Sequence, residues 1–291
     1  MINNARYSRI IAGAMTWGQW GKGFNHEEVS DLIKYCLDIG ITTFDHADIY
    51  GGYTTEADFG VGFKHSRVKR ENVQFISKCG IQLDAEARPN KVKHYEYSRD
   101  YIMWSVERSL KNLQTDYLDF LLLHRPSPLL EPDEISEVIS RLVKEGKIKN
   151  FGVSNFTPSQ IAMLETSVTV AANQVEFSLT ANDVMFDGTL DDCIANKRMA
   201  MSWSPLGSYF KEKNPQVKRI RKVINPLMEK YDASVDQLLL AWILKHPSKV
   251  YPVVGTATKS RLKDALRAME IELELQDWFM LLEASQGQEV P

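Results

Sequence analysis

The run Leu118-Asp119-Phe120-Leu121-Leu122-Leu123-His124 decides the fold. Leu118 to Leu123 is almost wholly apolar and does not alternate with polar residues. A strand of that kind is buried on both faces, which is the condition of a parallel sheet covered by helices. An imidazole then closes the run, so a polar group is delivered at the point where the buried strand ends.

On either side lie further strand candidates, near residues 9–12, 41–45, 73–77, 148–153, 171–175, 199–203 and 250–254. Helical spacing separates nearly all of them. Val29, Leu32, Ile33, Cys36 and Leu37 follow i, i+3, i+4, i+7, i+8, with Asn25 and Glu28 as an N-cap pair and Gly40 as the stop. Ile135, Val138, Ile139, Leu142 and Val143 repeat the spacing up to Gly146, and Thr157-Pro158 with Gln160 reads as a capping box with proline at N1. Eight βα units predict an α/β fold, a (β/α)8 TIM barrel, because closure removes both exposed edges. The interval 204–249 exceeds one crossover and predicts two helices near 216–230 and 234–246, so extra helices follow strand 7, and another is expected at the C-terminus. No linker or repeat interrupts the chain, and residues 1–291 read as one domain.

The chain has 291 residues, a length that suits one barrel of roughly 250. Its hydrophobic share of 44% permits a large core, and its net charge of −3 gives no reason to expect nucleic acid or an anionic membrane as partner. The basic cluster Lys218, Arg219, Arg221 and Lys222 reads as a solvated helix face, with a phosphate-binding surface as the lesser alternative. Neither a signal peptide nor an apolar run of about 18 residues is present. Three cysteines without a CxxC motif suggest a reducing compartment, so a cytoplasmic protein is expected. Lys78 is expected to lower the pKa of the adjoining Cys79, with a redox switch there as the lesser reading.

A barrel builds its chemistry at the C-terminal ends of its strands. Those ends carry Asp45 followed by Tyr50, then Lys78, His124, Ser154 with Asn155, Gln174, Trp203 with Ser204, and Gly255 with Thr256. Each has a bland reading alone: a turn cap for Asp45, a solvated lysine, a core histidine, a turn aromatic for Tyr50 beside Gly51 and Gly52. Together, an acid, a phenol, an ammonium and an imidazole would converge on one mouth. A phenol titrates near 10 unperturbed. A neighbouring ammonium would lower that value, a carboxylate would hold the ammonium, and an imidazole would donate to a substrate oxygen. Those groups suit carbonyl reduction, which needs a proton as hydride arrives.

The segments Phe44-Asp45-His46-Ala47-Asp48-Ile49-Tyr50-Gly51, Ile76-Ser77-Lys78-Cys79-Gly80 and Leu121-Leu122-Leu123-His124-Arg125-Pro126 resemble the aldo-keto reductase superfamily. So do Gly152-Val153-Ser154-Asn155-Phe156, Asn173-Gln174-Val175-Glu176 and Trp203-Ser204-Pro205-Leu206-Gly207, in order along essentially the whole chain. The stretches 92–95, 187–190 and 288–291 are similar to the bacterial YdhF-like branch. The resemblance implies a catalytic tetrad of Asp45, Tyr50, Lys78 and His124, with Tyr50 as general acid. It implies NADP(H), with NAD(H) as the second choice, bound without a G-x-G-x-x-G fingerprint; Gly18, Gly21 and Gly23 are expected to form a turn instead. Ser154, Asn155 and Gln174 would hold the carboxamide and Trp203 would stack on the nicotinamide. Thr16 and Trp17 would lie beside the cofactor, and Ser204, Pro205, Leu206, Gly207 and Ser208 would cover the pyrophosphate. Gly255 stands where many members place a lysine. Arg261, with Thr256 and Thr258 at a helix N-terminus, would meet the 2′-phosphate.

The expected partner is a small-molecule carbonyl substrate, and the expected state a monomer or small homo-oligomer. The long loop from Cys79 to Tyr97, with Trp20, Tyr53 and Arg125, supplies uncommitted candidates for the substrate pocket. Two other classes remain open at this point. One is a metal-dependent hydrolase using Asp45, His46, Asp48 and His124, although no metal is the expectation. The other is an NADP(H)-binding regulatory or sensor subunit with little turnover.

Overall fold

A computed structural model describes residues 7–290. Eight parallel strands close into a barrel in strict chain order. They are β1 (Ile11–Gly13), β2 (Thr43–Asp45), β3 (Gln74–Cys79), β4 (Leu118–Leu123), β5 (Ile148–Ser154), β6 (Ala172–Glu176), β7 (Met199–Trp203) and β8 (Tyr251–Val254). β1 pairs with both β2 and β8, so no barrel edge is left to solvent. All eight expected strands are present, with ends shifted by a residue or two.

Side chains alternate between the lumen and the helical jacket. Ile11, Ile76, Phe120, Leu122, Ala172, Met199, Met201, Tyr251 and Val253 fill the lumen as one apolar cluster with Tyr7. The other face packs against the helices, where residues such as Phe44, Phe75, Leu121, Leu123 and Val153 join the larger core. Gly152 shows how tightly the lumen is filled: a Cβ there would lie 2.8 Å from both the Ala172 carbonyl oxygen and Leu122 Cδ2.

The helical jacket follows the capping signals. Asn25 and Glu28 form a capping box on helix His26–Asp38, and Thr157 and Gln160 form one on Pro158–Glu165. The interval after β7 holds two helices, Pro215–Lys230 and Val235–Leu244, and the chain ends with Leu275–Gln286. The basic cluster lies on Pro215–Lys230, and it is not wholly solvated. Arg219 donates to the carbonyls of Ala284 and Ser285, and so ties the C-terminal helix down. A two-stranded ribbon, Ile81–Gln82 with His94–Tyr95, projects after β3. No helix among the described residues is long and apolar enough to cross a membrane.

Candidate active site

The period of two carries the lumen-facing rows up to the barrel mouth. Ile76 leads to Lys78, Leu122 to His124, Gly152 to Ser154, Ala172 to Gln174, and Met201 to Trp203. Asp45 is in register with Ile76, so it too faces the lumen. Tyr50 arrives differently, from the turn after β2. Gly51 (φ 63°) and Gly52 (φ 66°) continue the chain in the left-handed region, where a Cβ on Gly51 would meet Thr55 Oγ1 at 2.5 Å.

The structure brings the four tetrad candidates together. Lys78 Nζ donates to both Asp45 oxygens at 2.8 and 2.7 Å, to the His46 carbonyl at 2.7 Å and to Tyr50 Oη at 3.3 Å. Asp45 and Lys78 are buried, and Tyr50 is half-buried above them. The Tyr50 ring meets His124 edge-on at 6.2 Å and Trp20 at 6.3 Å.

The electrostatics correct one expectation. Lys78 does pull the Tyr50 phenol down, but burial pushes it up more strongly and Asp45 adds to the rise. Its pKa therefore lies above that of an ordinary phenol, and the hydroxyl is protonated at neutral pH. Burial opposes the charge on Lys78, yet the Asp45 carboxylate and the phenol raise its pKa, so the ammonium persists. Burial, then the charges of Lys78, Arg125 and Lys93, hold His124 well below its ordinary value, so it is a neutral imidazole. Its Nδ1 is buried without a partner.

A cavity of about 1030 Å³ opens over this cluster and runs along the mouth. That is at the upper end of the ~300–1,000 Å³ usual for small-molecule sites. Its wall includes Thr16, Asp45, Tyr50, His124, Ser154, Asn155, Gln174, Trp203, Ser204, Pro205, Leu206, Gly207, Gly255, Thr256, Thr258 and Arg261. Lys78 lies beneath the floor. A relay of hydrogen bonds fixes the polar rim: Trp203 Nε1 donates to Asn155 Oδ1, Asn155 Nδ2 to Ser154 Oγ, and Ser154 Oγ to the Gln174 carbonyl. Gln174 Nε2 donates to Asp45 Oδ1 at 2.9 Å, which leaves its amide oxygen as an acceptor. Asn155 (φ 62°) and Ser204 (φ 49°) hold left-handed backbone just past the ends of β5 and β7, a conformation that costs on the order of 1 kcal/mol for a residue other than glycine. This long cleft, with an amide-bearing rim, an indole and a distant arginine, fits a dinucleotide.

Two expected residues do not reach the cleft. Trp17 is turned into the core by the short helical turn Ala14–Thr16, and packs 5.8 Å from the Phe59 ring and 6.0 Å from Phe44. Ser208 follows the covering loop but faces Thr180, whose Oγ1 accepts its N–H. Other wall residues are not assigned from the sequence: Met15 from the helical turn Ala14–Thr16, Lys22, Phe210 and Lys211 from loops, and Asp236 and Leu240 from the helix Val235–Leu244. Loop residues carry no period, and in the helix Val235–Leu244 a buried leucine reads only as core. Of the uncommitted substrate candidates, Trp20, Lys93, Tyr95 and Arg125 line the cavity. Gly18, Gly21 and Gly23 do form a turn.

Tyr53 and Arg88 serve a second buried cluster. Arg88 lies over the Tyr53 ring at 3.8 Å and the Trp104 ring at 4.5 Å, and reaches Asp48 Oδ2 at 3.6 Å. Tyr101 and Ser105 donate to the same oxygen. Burial and the neighbouring Glu56 push Asp48 up to about 7. Cys79 belongs to this surrounding, and burial followed by Asp48 and Glu56 raises its thiol well above the ordinary range, the reverse of the effect expected from Lys78. His46 is wedged between Phe59 and Phe75, and burial drops it to about 3. Asp45, His46 and Asp48 therefore point to three different neighbours, and among the described residues no His, Cys, Asp and Glu group converges as metal ligands would.

The aldo/keto reductase family model matches residues 9–285. The chain is 39% identical to the uncharacterized oxidoreductase YcsN of Bacillus subtilis, over 100% of this chain and 98% of that protein. It is 38% identical to the oxidoreductase YdhF of Escherichia coli, over 98% and 96%. A 6-dehydroglucose reductase of Agrobacterium fabrum is 36% identical, over 97% and 96%. Among solved structures, an aldo-keto reductase from Klebsiella pneumoniae in complex with NADPH superposes with a TM-score of 0.75 at 25% identity, covering 98% of this chain and 92% of that one. With the eight-stranded barrel and the full-length matches to named oxidoreductases, the chain belongs to the aldo/keto reductase family and is an NAD(P)H-dependent carbonyl oxidoreductase.

Proposed function

We propose that the protein reduces aldehyde or ketone groups of small molecules with NADP(H), and that Tyr50 is the general acid. The observation that carries this reading is the Lys78 ammonium, held by both Asp45 oxygens and 3.3 Å from the Tyr50 hydroxyl. A bound nicotinamide supplies the hydride. Tyr50 Oη gives its proton to the carbonyl oxygen as negative charge develops there. Because its pKa is raised, the hydroxyl is always loaded, and the alkoxide of the product is basic enough to take the proton. Lys78 then stabilises the phenolate left behind, in surroundings where water does not screen the charge. Asp45 keeps Lys78 charged and aimed, and the neutral His124 hydrogen-bonds the substrate oxygen and orients it.

Ser154, Asn155 and Gln174 present the amide-recognising rim for the nicotinamide carboxamide, and Trp203 supplies an aromatic face beside it. Arg261, on the cavity wall with Thr256 and Thr258, would bind the 2′-phosphate and favour NADP(H) over NAD(H). The Klebsiella structure in complex with NADPH supports that choice of cofactor. The Agrobacterium relative, by its name, acts on an oxidised sugar, which favours a small, polar, oxygen-rich carbonyl compound. The test is an aldehyde panel followed at the NADPH absorbance, run with both cofactors. Turnover several orders of magnitude above background is expected; saturable NADPH binding with no turnover would instead identify a sensor.

A further inference from the structure

The carbonyl end of the cavity holds more positive charge than proton delivery requires. Arg125 and Lys93 both line it, one from the residue after His124 and the other from the rim of the ribbon after β3. No carboxylate among the described residues pairs with either one. The acid at this end is Asp45, already bound twice to Lys78. The other acid on the wall, Asp236, sits on the helix packed against the one that bears Arg261, toward the far end of the cleft.

Arg125 is also held in place. Its N–H donates to Tyr97 Oη at 3.1 Å, and its carbonyl accepts from the same hydroxyl at 2.6 Å. Tyr97 is buried, so that backbone anchor is rigid. The guanidinium then lies 5.4 Å above the Trp203 ring, and among the described residues none accepts a hydrogen bond from it. An arginine fixed this way offers a flat fork of N–H groups matched to an oxyanion. Lys93, exposed at the rim, adds a second point charge. Both charges are felt at His124, where they help to depress the imidazole. Lys211 and Arg261 lie with the loops expected to meet cofactor phosphates, so they do not account for the charge beside His124. The remaining wall here is Trp20, Ile49, Ile81 and Tyr95, which suits a short substrate body.

We propose that the substrate carries an anionic oxygen group as well as its carbonyl, and that Arg125 and Lys93 bind that group while Tyr50 and His124 face the carbonyl. The substrate class is thus an oxo-acid or a phosphorylated aldehyde. This rests on the reductase reading above, and the experiment separates the two. Matched pairs are compared at saturating NADPH: butanal with succinic semialdehyde, benzaldehyde with 4-carboxybenzaldehyde, and glyceraldehyde with its 3-phosphate. The charged member should have a kcat/KM higher by on the order of tenfold to a hundredfold, mainly through KM, and salt should erode the advantage. The carboxylate and phosphate pairs report which oxyanion is preferred. Arg125→Gln and Lys93→Gln should each shrink the charged-to-neutral ratio, and Arg125→Lys should preserve part of it. If the wild type reduces neutral aldehydes as well as their charged partners, or if Arg125→Gln leaves the ratio intact, the anion site is wrong and the reductase stands. If no aldehyde in the panel is reduced, both readings fall.

Discussion

Replacing Tyr50 by Phe isolates one hydroxyl. The ring contacts with His124 and Trp20 survive, since they belong to the phenyl group. Lys78 loses its longest bond but keeps Asp45 at 2.8 and 2.7 Å and the His46 carbonyl at 2.7 Å, so no buried charge is stranded. The stability change should stay within about 1 kcal/mol, the net worth of an ordinary hydrogen bond. Activity should respond differently. Loss of a positioned general acid costs on the order of 10²–10⁴ in rate, which at 1.36 kcal/mol per decade is ~3–5 kcal/mol of barrier. Single-turnover oxidation of bound NADPH by an aldehyde, followed by absorbance, measures it, and cofactor fluorescence measures binding separately. NADPH affinity should hold while the chemical step collapses. A variant within tenfold of the wild-type rate would mean that another group delivers the proton.

The same hydroxyl sets a pH signature. With its pKa raised beyond that of an ordinary phenol, it stays a loaded donor, so wild-type reduction should be flat from about pH 6 to about pH 9 and fall only beyond; a falling limb near pH 8 would mean that Lys78 outweighs burial. Arg261→Ala should weaken NADPH on the order of tenfold or more while barely changing NADH, and titration calorimetry showing equal losses would remove the 2′-phosphate role. Asp48 titrates near 7 in the fold against an ordinary value of 3.8, so its stabilising contribution is complete below about pH 4 and is lost as pH rises to about 7. Asp48→Asn should remove up to about 4 kcal/mol of that pH dependence, and calorimetric melting from pH 4 to 8 with an unaltered slope would reject the assignment. Gly152→Ala forces a Cβ to 2.8 Å from two lumen atoms and should cost ~1–3 kcal/mol, read as a lower urea midpoint at unchanged slope.

What the residues disclose by themselves follows from which forces have a period. Leu118–Leu123 could be read as a strand because two-sided burial leaves a continuous apolar run, and His124 could be placed at the mouth because strands end there. Thr16 and Trp17 are neighbours in the chain, but the turn at Ala14–Thr16 sends one to the cleft and the other to the core; adjacency carries no direction once a strand has ended. The sign of the Tyr50 shift was illegible for another reason. It is the balance of burial against an ammonium and a carboxylate, and only coordinates give those weights. Lys22, Phe210 and Lys211 reach the cavity from loops whose course depends on the whole barrel. Gly255, by contrast, is on the wall, with nothing within 4 Å of where its Cβ would be.

Closure in chain order partitions the site along the polypeptide. Asp45, Tyr50, Lys78 and His124 all come from the first four strands and their loops, whereas Ser154, Gln174, Trp203 and Arg261 come from the last four. The Gln174–Asp45 hydrogen bond stitches one half to the other across the lumen. On the proposed roles, proton handling and coenzyme choice occupy separate halves of the gene, and a recombinant that joins residues 1–147 of this chain to the matching second half of a relative should inherit its nicotinamide preference from the donor while retaining its own acid chemistry.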